Sequence, residues 1–373
     1  MNKNTLYLGR ILGIPIGLDP SWFLMFILIT WMLAASYFPG EFKNWPVTQY
    51  WIVGVVTAIL FFTSVALHEL GHSIVALRFK VPVTSITLYI FGGIARIASE
   101  PPSAIAEFFI AIAGPLTSFA LAGIFGLLQR VTASFAPVFA VVEYLAYING
   151  ALALFNLIPG FPLDGGRVFR AVVWGLTRNL RRATEIAAAI GRGVAFLFIL
   201  YGVWQILQGS WANGLWIAFI GWFLENAATG QVQQQRLHDL LAGRTVAQAM
   251  RRSCATASAN LTLQELIDRH ILGEGQRCLM ITRTGEIVGL LTLHNIRAVP
   301  RERWENVTAG EAMTPINNVQ QIKPEMELEV ALEKMGADGV NQLPVIQNGQ
   351  IEGMLSREDI IHYLRTLQTL SGM

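Results

Sequence analysis

His68-Glu69-Leu70-Gly71-His72 is the stretch of this 373-residue chain whose residue types and spacing could do chemistry. Two histidines four apart share one face of a helix and can share a metal ion, while the glutamate beside them can move a proton. Residues 51–67 hold no charge, and 73–77 resume the apolar character. The motif therefore lies in a segment long enough to cross a bilayer. Ionisable side chains in such a segment are costly and mark function by default. Metal chemistry inside a membrane is the expectation.

Two imidazoles do not complete a catalytic metal site, which needs three protein ligands and one open position. The third ligand must come from another segment at the same depth. Residues 156–167 read NLIPGFPLDGGR. Two prolines and three glycines stop any helix there and free the backbone to bend. Asp164 sits inside that break and is the candidate third ligand.

Positioning these residues requires a membrane domain. The chain is 53% hydrophobic and only 14% charged, and the two characters segregate: long apolar runs up to about residue 230, ordinary polar sequence after it. Six spans are expected, at 22–38, 51–77, 105–128, 138–157, 187–207 and 211–224. One side then receives Lys3, Arg10, Arg78, Lys80, Arg96 and six arginines between 167 and 192; the other receives only Lys43 and Arg130. That asymmetry places both termini in the cytoplasm, and the expected location is the plasma (inner) membrane, as a multi-pass protein. The N-terminus MNKNTLYLGR leads into the first span without a small-residue cleavage site, so that span is expected to be retained. A net charge of +2 gives no reason to expect nucleic acid as a partner. Cys254 and Cys278 lack metal-type spacing and form no disulfide framework.

Residues 81–97 are too short and broken for a span. They alternate around Gly92-Gly93, the pattern of a short membrane-associated β-hairpin or a re-entrant loop. A hairpin beside the metal helix could offer its edge to an extended peptide, with Gly92 and Gly93 as substrate-binding positions. A plain interfacial loop fits the alternation equally well.

HELGH on an apolar helix, then FGGIA (91–95), AGP (113–115) and NLIPGFPLDGGR, resembles the site-2 protease family of intramembrane zinc metalloproteases (peptidase M50). The resemblance spans the membrane half in the family's order. It implies one Zn2+ per chain held by His68, His72 and Asp164, with Glu69 as general base for a water activated at the metal. It also implies that Asn156 helps hold the substrate backbone; an interhelical hydrogen bond is the alternative role for this residue, as for Asn149. Gly114-Pro115 reads as a packing or kink element.

The polar tail is duplicated. Residues 279–296, with GEIVGLLT, align with 343–360, with GQIEGMLS, and Ala249-Met250 align with Ala312-Met313. This resembles a tandem CBS pair, an α/β (Bateman) module that in its family often binds adenine nucleotides. The resemblance implies an ATP or AMP site using Ser356 and Asp359 in the second copy and Thr292 in the first, where Asn295 replaces the acid. It also implies possible homo-oligomers through the CBS domains; a nucleotide-free dimerisation module is the alternative. His238, His270, His294 and His362 are given no metal.

The expected architecture is a membrane all-α domain of six transmembrane helices with the hairpin (residues 1–230), a linker (231–244), CBS repeat 1 (245–303) and CBS repeat 2 (304–373). The expected function is an intramembrane zinc endopeptidase acting on a transmembrane or membrane-anchored protein and tuned by the CBS pair. A CBS-regulated ion channel or transporter with a non-catalytic metal site is the alternative, though it leaves the match of HELGH with Asp164 without a purpose.

Overall fold

Long apolar runs become helices in this chain because in lipid every backbone N–H and C=O must find its partner within the segment or in protein. The structure, a computed structural model, describes residues 5–370 apart from 91, 98–99, 253–254, 275, 277, 338 and 348–349. Phe91, Cys254 and Gly349 therefore lie outside the described residues. The chain divides into two units at Gln235/Arg236, within one helix.

The first unit opens with an antiparallel hairpin, β1 (Leu6–Ile11) and β2 (Ile14–Leu18). Its turn puts Leu12 and Gly13 at φ of 52° and 82°. Asp19 then caps α1 (Pro20–Glu41), accepting the Ser21 N–H at 3.0 Å. The following elements are α2 (Val47–Arg78), β3 (Val83–Tyr89), β4 (Gly92–Ile97), α3 (Ala104–Thr132), α4 (Ala136–Asn156), α5 (Asp164–Thr177), α6 (Leu180–Leu207) and α7 (Trp211–Leu241). The strands form one sheet in the order β1-β2-β3-β4. β2 and β3 run parallel, with Ile16 opposite Ile86 and Leu18 opposite Leu88, and β3 pairs antiparallel with β4.

Among the described residues, five helices (α1 to α4 and α6) are long and apolar enough to cross a membrane. Their outer faces carry large exposed apolar side chains, such as Leu24 at 62%, Ile27 at 64% and Leu197 at 64%. A band of that kind is far larger than a soluble monomer shows, whereas lipid accepts it. The protein is a multi-pass membrane protein. Close packing between its helices relies on small residues, as expected where no hydrophobic effect drives helices together. α6 meets α7 where Gly202 faces Gly214 and where Gly221 lies against Ala195.

Three features differ from the sequence reading. The segment at 81–97 is half of a four-stranded sheet whose other half, β1–β2, was not expected; β1 is exposed on both faces and so lacks an apolar-polar alternation. Past the break at 157–163 the chain forms an amphipathic helix, α5, that starts at Asp164 itself. Residues 231–241 continue α7, and Leu241 joins the core of the second unit.

In the second unit, β5 (Thr256–Ser258), β6 (Cys278–Arg283), β7 (Glu286–Thr292) and β8 (Thr314–Pro315) form one sheet, and β9 (Gln342–Gln347) pairs with β10 (Gln350–Ser356). Each repeat borrows its neighbour's lead-in. Val246 packs with Leu328, Val345 and Leu355 of the second repeat, while Val307 and Ala309 pack with Leu263, Ile281 and Leu291 of the first. Backbone bridges make the same exchange, Thr245 with Glu327 and Thr308 with Thr262. The Thr308 N–H and hydroxyl donate to Glu311 at 2.8 and 3.0 Å, which holds this carboxyl below its usual range.

The loop before α5 is wedged against α6. A Cβ on Gly191 would run into the Phe161 backbone, whereas one on Gly193 would meet nothing within 4 Å. Gly191→Ala should lower the unfolding temperature of the detergent-solubilised protein by several degrees, and Gly193→Ala should leave it unchanged or raise it slightly. Equal melting of the two variants would contradict this packing.

Candidate metal centre

α2 presents His68 and His72 on one face, one turn apart, both about 4% exposed. Asp164 reaches them from the first position of α5, where the Pro/Gly-rich loop has brought the chain back. His68 Nε2 and His72 Nε2 lie 3.2 Å apart, and Asp164 Oδ2 lies 3.1 and 3.2 Å from them. Among the described residues this is the one group of three or more His, Cys, Asp or Glu side chains that could hold a metal. His238 and His270 instead meet Glu329 and Glu274 at 2.7 and 3.0 Å.

The outer nitrogens of the imidazoles set the chemistry of the inner ones. His72 Nδ1 is 2.7 Å from the Ile110 carbonyl oxygen, which can only accept. The proton of the neutral ring is therefore on Nδ1, and Nε2 turns a lone pair inward. His68 Nδ1 meets the Ser118 hydroxyl at 2.9 Å. With the Ser118 hydroxyl free to accept from His68 Nδ1 as well, both inner ring nitrogens can turn a lone pair toward the point that the Asp164 carboxylate oxygen faces. A metal ion, or a proton on one imidazole, is what lets these atoms share one centre. A tetrahedron with metal–ligand bonds of about 2.0–2.1 Å has edges of about 3.3 Å, so the separations fit zinc with a fourth position open.

α3 supplies the space as well as the partners. A Cβ on Gly114 would collide with the Nε2 atoms of both histidines, and one on Gly71 would collide with Thr117. The glycine inside HELGH and the glycine of Ala113-Gly114-Pro115 thus let α2 and α3 touch at the site. Pro115 has no N–H for the Ala111 carbonyl, which loosens the helical ladder beside Ile110. Ser118 and the Ile110 carbonyl were not singled out in the sequence, and Gly114 was read there as a packing or kink element rather than as lining the centre. The small-residue run 113–118 was the available signal.

Glu69 points toward the sheet. Its Oε2 accepts the Ala95 N–H of β4 at 3.1 Å, and a Cβ on Gly93 would strike its side chain. Gly92, at φ 126°, opens the same strand. Asn156 is the last residue of α4, half-buried. Asn149 is buried and donates to Ser64 Oγ at 3.3 Å and the Leu145 carbonyl at 2.8 Å, an interhelical link. In the second unit, Thr292 and Asn295 cap one helix, and Ser356 and Asp359 cap another, with Ser356 Oγ donating to Asp359 at 2.5 Å. Asp359 is buried and also takes the Arg251 guanidinium.

The model of peptidase family M50 matches residues 56–135 and 121–200, and the CBS domain model matches 246–302 and 309–366. Rip3 of Mycobacterium tuberculosis, whose name places it among zinc metalloproteases, is 35% identical over 363 residues, covering 96% of this chain and 92% of Rip3. The chain belongs to peptidase family M50. A Synechocystis relative named in the same way is 34% identical over 98% of this chain and 96% of its own. A solved site-2 protease from Methanocaldococcus jannaschii is 29% identical, with a TM-score of 0.44, covering 61% of this chain and 95% of that one. This M50 protein is a membrane zinc metalloprotease with a C-terminal CBS pair.

Two substitutions test the centre. Asp164→Ala should weaken zinc retention by roughly 100-fold or more, beyond the range seen on removing outer partners of ligands. Gly114→Ala should also expel the metal, since the new methyl overlaps the imidazoles. Zinc content after chelator dialysis checks both, and full occupancy in either variant would refute the corresponding contact.

Proposed function

We propose that this chain is an intramembrane endopeptidase that cleaves a transmembrane or membrane-anchored protein, as in regulated intramembrane proteolysis. His68, His72 and Asp164 are its zinc ligands and Glu69 its general base. The observation that carries this reading is the convergence of three lone-pair atoms beside a glutamate within helices whose outer faces suit lipid. Zinc held there supplies Lewis acidity for the scissile carbonyl and makes water a nucleophile near neutral pH.

The residues divide the remaining work. Glu69 takes the proton of the attacking water and returns one to the leaving amine. β4 is an edge strand, so its outer backbone groups can pair with an extended substrate. Gly93 lets that strand pass close to Glu69 without a side chain between them, and Gly92 opens the strand at a φ of 126° that favours glycine. Asn156, at the end of α4, holds the substrate backbone. Because peptide bonds inside a helix are protected, presenting the substrate as a strand is also what exposes its carbonyls.

The membrane topology has six spans, with residues 211–224 of α7 as the sixth, and both termini are cytoplasmic in the plasma membrane. Small-residue packing of α7 on α6 supports the sixth span. The basic-residue asymmetry supports the orientation even after Arg170 is set aside as a buried residue. The CBS pair binds ATP or AMP through Ser356 and Asp359, with Thr292 at the weaker site, and sets the protease's activity; it also offers a route to homo-oligomers.

Glu69→Gln should keep its zinc and lose about 10²–10⁴-fold in cleavage rate of a membrane-embedded substrate. Unchanged turnover would sink the assignment. Calorimetric titration of the full chain with ATP and with AMP should give heat that Asp359→Ala abolishes. Silence with both nucleotides would leave the CBS pair as a dimerisation device.

A further inference from the structure

Glu107 and Arg170 form an ion pair inside the membrane unit, 0% and 8% exposed. Glu107 lies in the first turn of α3, and Arg170 in the second turn of α5. The guanidinium donates through Nε, at 2.6 Å, and through Nη2 to the same oxygen, Glu107 Oε1. It also sits 5.2 Å above the ring of Phe161, in the loop that precedes Asp164. Glu107 Oε2 is buried with no hydrogen-bond partner among the described residues. Among the described residues no hydrogen bond or ion pair joins either residue to His68, His72 or Asp164, and neither has a place in the catalytic steps above.

Such a pair is a poor stabilising device. Desolvating two charges offsets most of their attraction, and apolar residues of similar volume are often as stable or more so. What it supplies is a fixed register between the elements it joins. Here those elements are α3, α5 and the loop between α4 and α5. α3 already holds His72 through Ile110, one turn beyond Glu107, and His68 through Ser118. α5 carries Asp164 at its first position, after a loop rich in glycine and proline, and its N-cap, Leu163, makes no side-chain hydrogen bond. Packing of Leu163 and Gly160 holds the helix start against α6, but the position of Asp164 relative to α3 needs a link of its own. Arg170 is that link, gripping α3 with its guanidinium and the loop with its stacked ring.

We propose that the Glu107–Arg170 pair is a positioning clamp that sets Asp164 against the two imidazoles, so that all three ligands are referenced to α3. The proposal rests on the assignment of His68, His72 and Asp164 as zinc ligands. Glu107 and Arg170 are positioning residues, and their effect must pass through Asp164.

The test is a double-mutant cycle on zinc affinity, measured by chelator competition with the full chain in detergent, independently of proteolysis. Glu107→Gln should weaken zinc binding about 10-fold or more, the size of effect found on removing outer-shell partners. In an Asp164→Asn background the same change should cost nothing further. A Glu107→Met/Arg170→Met double variant, which removes the buried charges, should melt at or above the native temperature yet show the same zinc loss. Equal weakening by Glu107→Gln in both backgrounds, or native affinity in the double variant, would overturn the clamp. If Asp164→Asn itself leaves zinc affinity intact, the ligand assignment fails first, and the clamp with it.

Discussion

Convergence of two imidazole nitrogens and a carboxylate oxygen on one point is the constraint on which this membrane domain turns. His68 Nε2, His72 Nε2 and Asp164 Oδ2 stand 3.1–3.2 Å apart in a region with little water to screen them. No apolar core would choose that arrangement. The surrounding protein holds it through hydrogen bonds on the far side of each histidine, from a backbone carbonyl and a serine hydroxyl. Space comes from two glycines that remove the Cβ atoms which would fill it. Outer partner and void are thus two parts of one design, and α3 contributes both.

The lipid setting explains why small residues recur wherever the chain must be tight. In water, helices are pressed together by burial of apolar surface; in a bilayer that driving force is missing, and contact area from close approach replaces it. Gly71 on Thr117, Gly202 on Gly214 and Gly191 on the Phe161 backbone are instances of one solution. The loop at 157–163, which delivers Asp164, survives as non-helical backbone because α6 covers it at Gly191 and at Ala187, whose carbonyl accepts the Phe161 N–H.

The grouping of polar side chains in the membrane unit was the most legible part of the sequence. His68, Glu69, His72 and Asp164 could be named because their types are rare in an apolar chain and their spacing has a geometric meaning. The duplicated tail was visible because its two copies repeat the same letters around a Gly turn. What could not be read was whatever depends on backbone or on distant partners. A carbonyl such as that of Ile110 carries no letter, and Gly114 in an apolar helix reads as ordinary packing. β1 escaped because a strand exposed and apolar on both faces has no alternation. Arg170 counted as one more cytoplasmic arginine until Glu107, 63 positions away, was found beside it.

The exchange of lead-in segments in the C-terminal unit has a consequence for how this module can be altered. Val246 completes the core of the second repeat, and Val307 and Ala309 complete that of the first. Neither repeat contains its own full core, so the repeat visible in the letters is not the unit that folds. A cut between the copies would leave two fragments, each with a hole in its interior. The module therefore unfolds and refolds as one cooperative body, and a deletion or a domain graft must take both copies together or neither.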